Sequence, residues 1–280
     1  MKILSPAKIN LYLKIKNQRA DGYHNIETLI CPIAIFDALS FIFDQKKILV
    51  ECNPKICAQE DNLAFKAADL FFKEANIKAG VKITINKKIP AGAGLGGGSG
   101  NAAAVLTALN KHYQTFSVEK LEKIGLKIGA DVPFFIRSKP ALATGIGEKL
   151  YEYKGLYPFN IVVVYPRFEV STSWAYKKFN EIKKNLGLTN TKKRNKYPFF
   201  INRKDKIYIK NNLEEAVEPF YPQISDIKKD FIRNKADKTL MTGSGSAIFG
   251  IFKDFTTATN AFEYFLKNKQ LIVFNTKLIV

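Results

Sequence analysis

Eleven consecutive residues, Pro90, Ala91, Gly92, Ala93, Gly94, Leu95, Gly96, Gly97, Gly98, Ser99 and Gly100, carry six glycines and run into an alanine-rich stretch near Asn101. Backbone without Cβ atoms can turn successive N–H groups toward one point and approach a ligand closely. A helix starting behind such a loop adds its unpaired amides and the positive end of its dipole. The chemistry this pattern suits is the grip on a polyphosphate, and with it phosphoryl transfer. Val81, Ile83 and Ile85 alternate with polar residues before the loop, and Ala102, Val105, Leu106 and Leu109 follow at helical spacing. Strand, glycine loop, helix is the setting that separates a phosphate site from an accidental glycine cluster. No Gly-Lys-Ser/Thr closes the loop, so it is not a Walker A motif. No acidic residue ends a following strand at the distance a dinucleotide fold requires.

Other residues invite chemistry but also have ordinary readings. From Ala7 to Ile15 the odd positions are all apolar, while Lys8, Asn10, Tyr12 and Lys14 alternate with them. That periodicity reads as a half-buried strand with Lys8 and Asn10 on one face, where a lysine is ordinarily a solvated charge. Asp131, two residues before Pro133, stands where a helix N-cap is expected for local reasons. Asp21-Gly22 marks a turn before Tyr23-His24, and a histidine in a turn is ordinarily a surface residue. Thr242-Gly243-Ser244-Gly245-Ser246 reads as a tight turn before a strand, or as a second nest of backbone amides.

The string Pro-x-x-x-Gly-Leu-x-x-x-Ser entering an alanine-rich helix resembles the ATP-binding motif of the GHMP kinases. Within that superfamily, four further strings are similar to the 4-diphosphocytidyl-2-C-methyl-D-erythritol kinases. They are Pro6-Ala7-Lys8-Ile9-Asn10-Leu11, Arg19-Ala20-Asp21-Gly22-Tyr23-His24, Gly129-Ala130-Asp131-Val132-Pro133-Phe134-Phe135 and Met241-Thr242-Gly243-Ser244-Gly245-Ser246-Ala247. Asp-Gly-Tyr-His is the most discriminating of them. The resemblance implies a two-domain α+β fold, with an N-terminal domain of a type shared with a ribosomal protein and a C-terminal α/β-sandwich domain. It implies ATP as co-substrate, Mg²⁺ carried with it, and transfer to the 2-hydroxyl of 4-(cytidine 5′-diphospho)-2-C-methyl-D-erythritol. Asp131 would be the general base and Lys8 the ammonium facing it. The loop from Pro90 to Gly100 and Asn62, beside Leu63, would hold ATP. Asn10, Tyr23, His24, Tyr176, Gly243, Ser244 and Gly245 would hold the substrate, with Tyr23 and His24 at the cytosine and Tyr176 on its opposite face. No residue is assigned to metal. One departure stands out: Gly98-Ser99-Gly100-Asn101 replaces the family's usual Gly-Ser-Ser-Asn, removing one hydroxyl.

These residues need elements to carry them. The 280 residues can bury a substantial core, expected as two domains, 1–155 and 156–280. Extended segments are expected over Ile33–Phe43, Phe159–Tyr165 and Ala247–Phe252, with a final strand from Leu271. Helices are expected over Asn62–Asn76 (capped by Asp61), Asn101–Tyr113, and from Ser117 to Gly125 or Gly129. Others are expected after Ser171-Thr172 and over Asn212–Glu218, Ile224–Asn234 and Thr257–Lys267. Mixed elements without strict alternation of strand and helix favour a two-layer α+β architecture.

Composition narrows the class. Cys31, Cys52 and Cys57 form no Cys-x-x-Cys pair and there are two histidines, so neither a disulfide framework nor a structural zinc site is expected. That usage fits a reducing cytoplasm, and the first residues lack a signal-peptide apolar block. No apolar run approaches the length of a membrane span. The net charge of +19 is spread over the whole chain and no aromatic RNP signature accompanies it, which favours a small-molecule substrate over nucleic acid or membrane partners. Monomer and homodimer are both open. The densest basic patch, Asn185 to Lys210, reads as an exposed insertion between structured segments.

Overall fold

A computed structural model describes residues 1–185 and 208–280, so the basic insertion lies outside the described residues but for its margins. The chain runs β1 (Lys2–Gln18), β2 (His24–Gln45), β3 (Leu49–Asn53), α1 (Leu63–Ala75), β4 (Gly80–Asn86), α2 (Gly97–Tyr113), α3 (Val118–Ile128) and α4 (Val132–Arg137). It continues with β5 (Ala141–Gly145), β6 (Lys149–Glu152), β7 (Asn160–Tyr165), α5 (Thr172–Asn185), β8 (Lys210–Asn211) and α6 (Asn212–Val217). A 3₁₀ turn (Glu218–Phe220) leads into α7 (Pro222–Arg233), β9 (Lys238–Met241), β10 (Ile248–Phe252), α8 (Phe255–Leu266) and β11 (Ile272–Lys277). Helices and strands are mixed, as the α+β reading expects.

Two compact units divide the chain, each assembled from separate stretches of sequence, and β1 and β2 each contribute residues to both. The first comprises Met1–Lys8, Ala34–Ala91 and Gly96–Lys139. Here the second half of β2 pairs antiparallel with β4, Leu39 opposite Ile85 and Phe41 opposite Ile83, and β3 joins β4 in parallel. Helices α1 and α2 pack together, as do α2 with α4 and α3 with α4. The side chains of Leu39, Phe71, Ile83, Ile85, Leu106 and Phe134 are fully buried in this unit.

The second unit comprises Ile9–Ile33, Gly92–Leu95 and Pro140–Val280. The first half of β2 pairs antiparallel with β5, which forms a hairpin with β6, and β8 lies parallel to β1. A four-stranded antiparallel sheet, ordered β11-β7-β10-β9, backs a core that includes Val162, Val164, Phe179, Leu213, Ile224, Phe231, Ile248 and Phe252.

Several boundaries depart from expectation for local reasons. Asn62, not Asp61, caps α1, its side chain accepting from Ala64 N at 3.0 Å. Helix α8 begins two residues early because Asp254 caps it through Thr257 N. Helix α2 begins at Gly97 rather than near Asn101, so Gly97, Gly98, Ser99 and Gly100 form its first turn. Glycine in a helix costs about 1 kcal/mol relative to alanine, and tertiary burial along α2, from Gly97 and Gly100 through Leu109, outweighs it. The short strands β3, β5, β6, β8 and β9 lack a periodic signature in the sequence and are defined by their partners.

Candidate active site

In the first unit, the site is built around the mouth of α2. Gly96 caps that helix in the left-handed region, with φ 72°, and accepts from Gly100 N at 2.9 Å. A Cβ on Gly96 would come within 2.8 Å of the Phe135 ring and 3.0 Å of Lys8 Cγ. The lysine stem therefore passes beside Gly96, the residue that caps the helix. Lys8 is only 5 % exposed. The solvated-charge reading of a strand lysine fails here, because β1 is covered on both faces: Lys8, Asn10 and Tyr12 are buried along with Ala7, Ile9 and Leu11. Burial pulls the Lys8 ammonium below the ordinary lysine range, and the negative charge of Asp131 opposes that pull.

Asp131 occupies the N-cap position of α4 with helical backbone angles, and its carboxylate makes no capping hydrogen bond. The position is the one local propensity foretells, yet the side chain is not spent on the helix. Ser99 Oγ in the first turn of α2 lies near the Gly129 backbone, two residues before Asp131. On the other side of the loop, Leu63 Cδ1 would be 3.4 Å from a Cβ on Gly98, so the start of α1 borders the exposed glycine. Asn62 is occupied as the α1 cap.

The ends of the glycine stretch are held by residues that periodicity did not single out. Asp37, on β2, accepts from Lys87 Nζ at 2.6 Å, Lys88 N at 2.7 Å, Ile89 N at 2.8 Å and Asn101 Nδ2 at 2.9 Å. The sequence carried no signal for this beyond an aspartate inside an apolar strand, a place where a carboxylate must be paired.

The second unit holds the loop residues Gly92–Leu95 against the second glycine-rich element. Ala93 O accepts from Ala247 N at 3.1 Å, and a Cβ on Gly94 would lie 2.5 Å from Thr242 O and 3.0 Å from Gly245 O. Only glycine permits that approach at φ 77°. Asn211 Nδ2 donates to Met241 O at 2.8 Å and to Gly243 O at 2.7 Å, and Ser246 Oγ donates to Phe168 O. Thr172 Oγ1 and Ser244 Oγ share a hydrogen bond at 2.9 Å. Asn10 is buried in this unit, its backbone N–H donating to Thr242 Oγ1 at 3.0 Å and its Nδ2 to Thr28 Oγ1 at 2.9 Å. It thus ties β1 to the Thr242–Ser246 element.

Also in the second unit, the Arg19–Tyr23 turn is closed by Arg19 N donating to Tyr23 O at 2.7 Å and by the Arg19–Asp21 ion pair. Tyr23 is 64 % exposed, while His24 is 8 % exposed. Tyr176 on α5 stacks on the His24 imidazole with ring centroids 5.1 Å apart. Asn180, absent from the sequence-based set, faces the same imidazole, with Oδ1 2.9 Å from Nε2. Among the described residues no helix is long and apolar enough to cross a membrane.

Comparison with known proteins places this architecture. The family model for the GHMP kinases N terminal domain matches residues 62–139, and that for the GHMP kinases C terminal matches residues 201–269. The 4-diphosphocytidyl-2-C-methyl-D-erythritol kinase of Syntrophotalea carbinolica is 41% identical over 265 residues, covering 93% of this chain and 92% of its own. The kinase of the same name from Clostridioides difficile is 39% identical over 288 residues, covering 99% and 95%. A crystal structure of a 4-(cytidine 5′-diphospho)-2C-methyl-D-erythritol kinase superposes with a TM-score of 0.81 at 30% identity, covering all of both chains. A mevalonate kinase from Methanococcus jannaschii shares the fold, with a TM-score of 0.70 at 16% identity. A buried lysine beside the glycine that caps α2, two matched domains and relatives aligned over nearly their whole length lead to one assignment: this chain belongs to the GHMP kinases, in the 4-diphosphocytidyl-2-C-methyl-D-erythritol kinase family.

Proposed function

We propose that this kinase transfers the γ-phosphoryl group of MgATP to the 2-hydroxyl of 4-(cytidine 5′-diphospho)-2-C-methyl-D-erythritol, giving the 2-phosphate and ADP in the non-mevalonate route to isoprenoid precursors. The observation that carries the reading is Lys8, buried at the mouth of α2 with Asp131 as its charge partner. The carboxylate of Asp131 accepts the proton of the substrate alcohol as its oxygen attacks the γ-phosphorus. The bond from that phosphorus to the bridging oxygen breaks, and ADP leaves with the electron pair. The ammonium of Lys8 offsets negative charge developing on the attacking oxygen.

The amides from Gly96 into the first turn of α2 suit the triphosphate, and Mg²⁺ travels as part of that substrate. Asn62 and Leu63 border the adenosine. His24, Tyr23 and Tyr176 read the cytosine, and the Gly243-Ser244-Gly245 amides lie toward the substrate diphosphate. Asn10 acts by holding Thr242 in that element. The relatives' names support this substrate, as does the imidazole fixed beside an aromatic ring. The test is incubation of the purified protein with ATP, Mg²⁺ and the cytidyl substrate, beside homoserine and mevalonate. Phosphate transfer to the cytidyl compound alone is expected; transfer to either control in its place would overturn the assignment.

A further inference from the structure

Asn180 holds the His24 imidazole, whose role rests on the cytidyl substrate proposed above. Its Oδ1 lies 2.9 Å from Nε2 of His24. Tyr176, four residues earlier on α5, stacks on the same ring with planes 21° apart. Residues at i and i+4 of a helix project from one face, so α5 holds the imidazole by its flat side and by one nitrogen together. His24 is the first residue of β2 and is almost fully buried, which leaves the ring little room to turn.

An amide oxygen has lone pairs and no proton. The nitrogen that meets it must bring the hydrogen, which sets neutral His24 in the Nε2–H form and leaves Nδ1 as a bare acceptor. We propose that Asn180 is a positioning residue: it sets the His24 tautomer and so selects a pyrimidine bearing an amino group, cytosine, over one bearing a carbonyl, uracil. Cytosine presents N4–H donors where the keto pyrimidines present an oxygen. A bare Nδ1 accepts from the amino group; against the carbonyl, two lone pairs meet and no hydrogen bond forms. Without Asn180 the proton can sit on either nitrogen, and Nδ1–H serves a carbonyl as well as Nδ1 serves an amine.

The chain has two histidines, so a ¹⁵N-labelled sample gives two imidazole spin systems, and His112→Gln identifies which is His24. Long-range ¹H–¹⁵N spectra should show the Nε2–H form for His24 in the unaltered protein and a mixture of tautomers in Asn180→Leu. Calorimetric titration with CDP and UDP should show CDP preferred by the unaltered protein. The preference should fall by about tenfold in Asn180→Leu, the worth of one hydrogen bond. An Nδ1–H His24 in the unaltered protein that still prefers CDP overturns the role of Asn180 alone. So does an Asn180→Leu protein that keeps both tautomer and preference. Failure of the unaltered protein to bind either nucleotide overturns the cytidyl reading and the selectivity with it. Should Asn180→Leu not fold, the tautomer of the unaltered protein decides.

Discussion

Asp37 accepts a 2.9 Å hydrogen bond from the side-chain amide of Asn101, and this pair closes the two ends of the glycine-rich stretch onto one carboxylate. The entering strand reaches the same group through Lys87 Nζ, Lys88 N and Ile89 N. Asp37 and Lys87 are both buried, the carboxylate completely. Taking the charge from Asp37 while leaving Lys87 strands an ammonium away from water. Asp37→Asn should therefore cost about 3–5 kcal/mol of unfolding free energy, read by urea titration, and adding Lys87→Met should recover a large part. A single variant as stable as the unaltered protein would mean that the ion pair does not hold the loop.

Asp131 sits at a cap position without making a capping bond. Asp131→Ala should therefore escape the loss of about 1 kcal/mol that removing a working N-cap brings. Turnover should nevertheless drop about 10²-fold or more, the scale of general acid–base catalysis. Lys8→Met should lower turnover on a similar scale through lost charge stabilisation. Thermal melting beside steady-state kinetics separates the two effects, and near-normal turnover in Asp131→Ala would remove it as the base.

Gly100, where the family resemblance leads one to expect serine, is accounted for by its neighbours. A Cβ there would meet Ser5 Oγ at 2.6 Å and Pro6 O at 3.1 Å. Gly100→Ser should overpack this contact and cost about 1–3 kcal/mol. Ser5→Ala in the same chain should relieve part of that cost. Ser5→Ala alone should be neutral or stabilising, since Ser5 Oγ is buried without a hydrogen-bond partner. Denaturant midpoints of the three variants check the set.

Glu74 on α1 binds Lys120 and Lys127 of α3, each at 2.6 Å. Hydrogen bonds from these two ammonium groups hold its carboxyl down at about 2, against an ordinary 4.5. A carboxyl with a depressed folded-state pKa contributes stability that is present above its ordinary value and lost as pH falls through the folded one. The stability difference between the unaltered protein and Glu74→Gln should thus be constant above about pH 5 and shrink steadily toward pH 2. An unfolding series across that range measures it; a difference independent of pH would refute the pairing.

His24→Ala should raise KM for the cytidyl substrate while leaving KM for ATP close to its original value. Stacking and hydrogen bonding to a base are worth about 1–3 kcal/mol together, or about tenfold to a hundredfold in KM. Equal changes in both constants would argue against base recognition by this residue.

Local pattern was enough to foretell several of the longer elements, while β2 runs back to His24, well before the expected Ile33. Alternation along Ala7–Ile15 and Val81–Ile85, and helical spacing after Asn101, depend on near neighbours, and α2, β1 and β4 follow them. The glycines, Lys8 and Asp131 were found from residue type and family likeness, which need no coordinates. Tertiary packing alone decided that β1 is covered on both faces, which buries Lys8 and pulls it below the ordinary lysine range. It also decided that glycines form the first turn of α2 against their intrinsic preference. Asp37 with Asn101, Gly100 with Ser5, and Asn180 with His24 each join residues far apart in the chain. Such pairs leave no periodic trace, because the energy of burying a polar group depends on what the fold brings beside it and not on its neighbours in sequence.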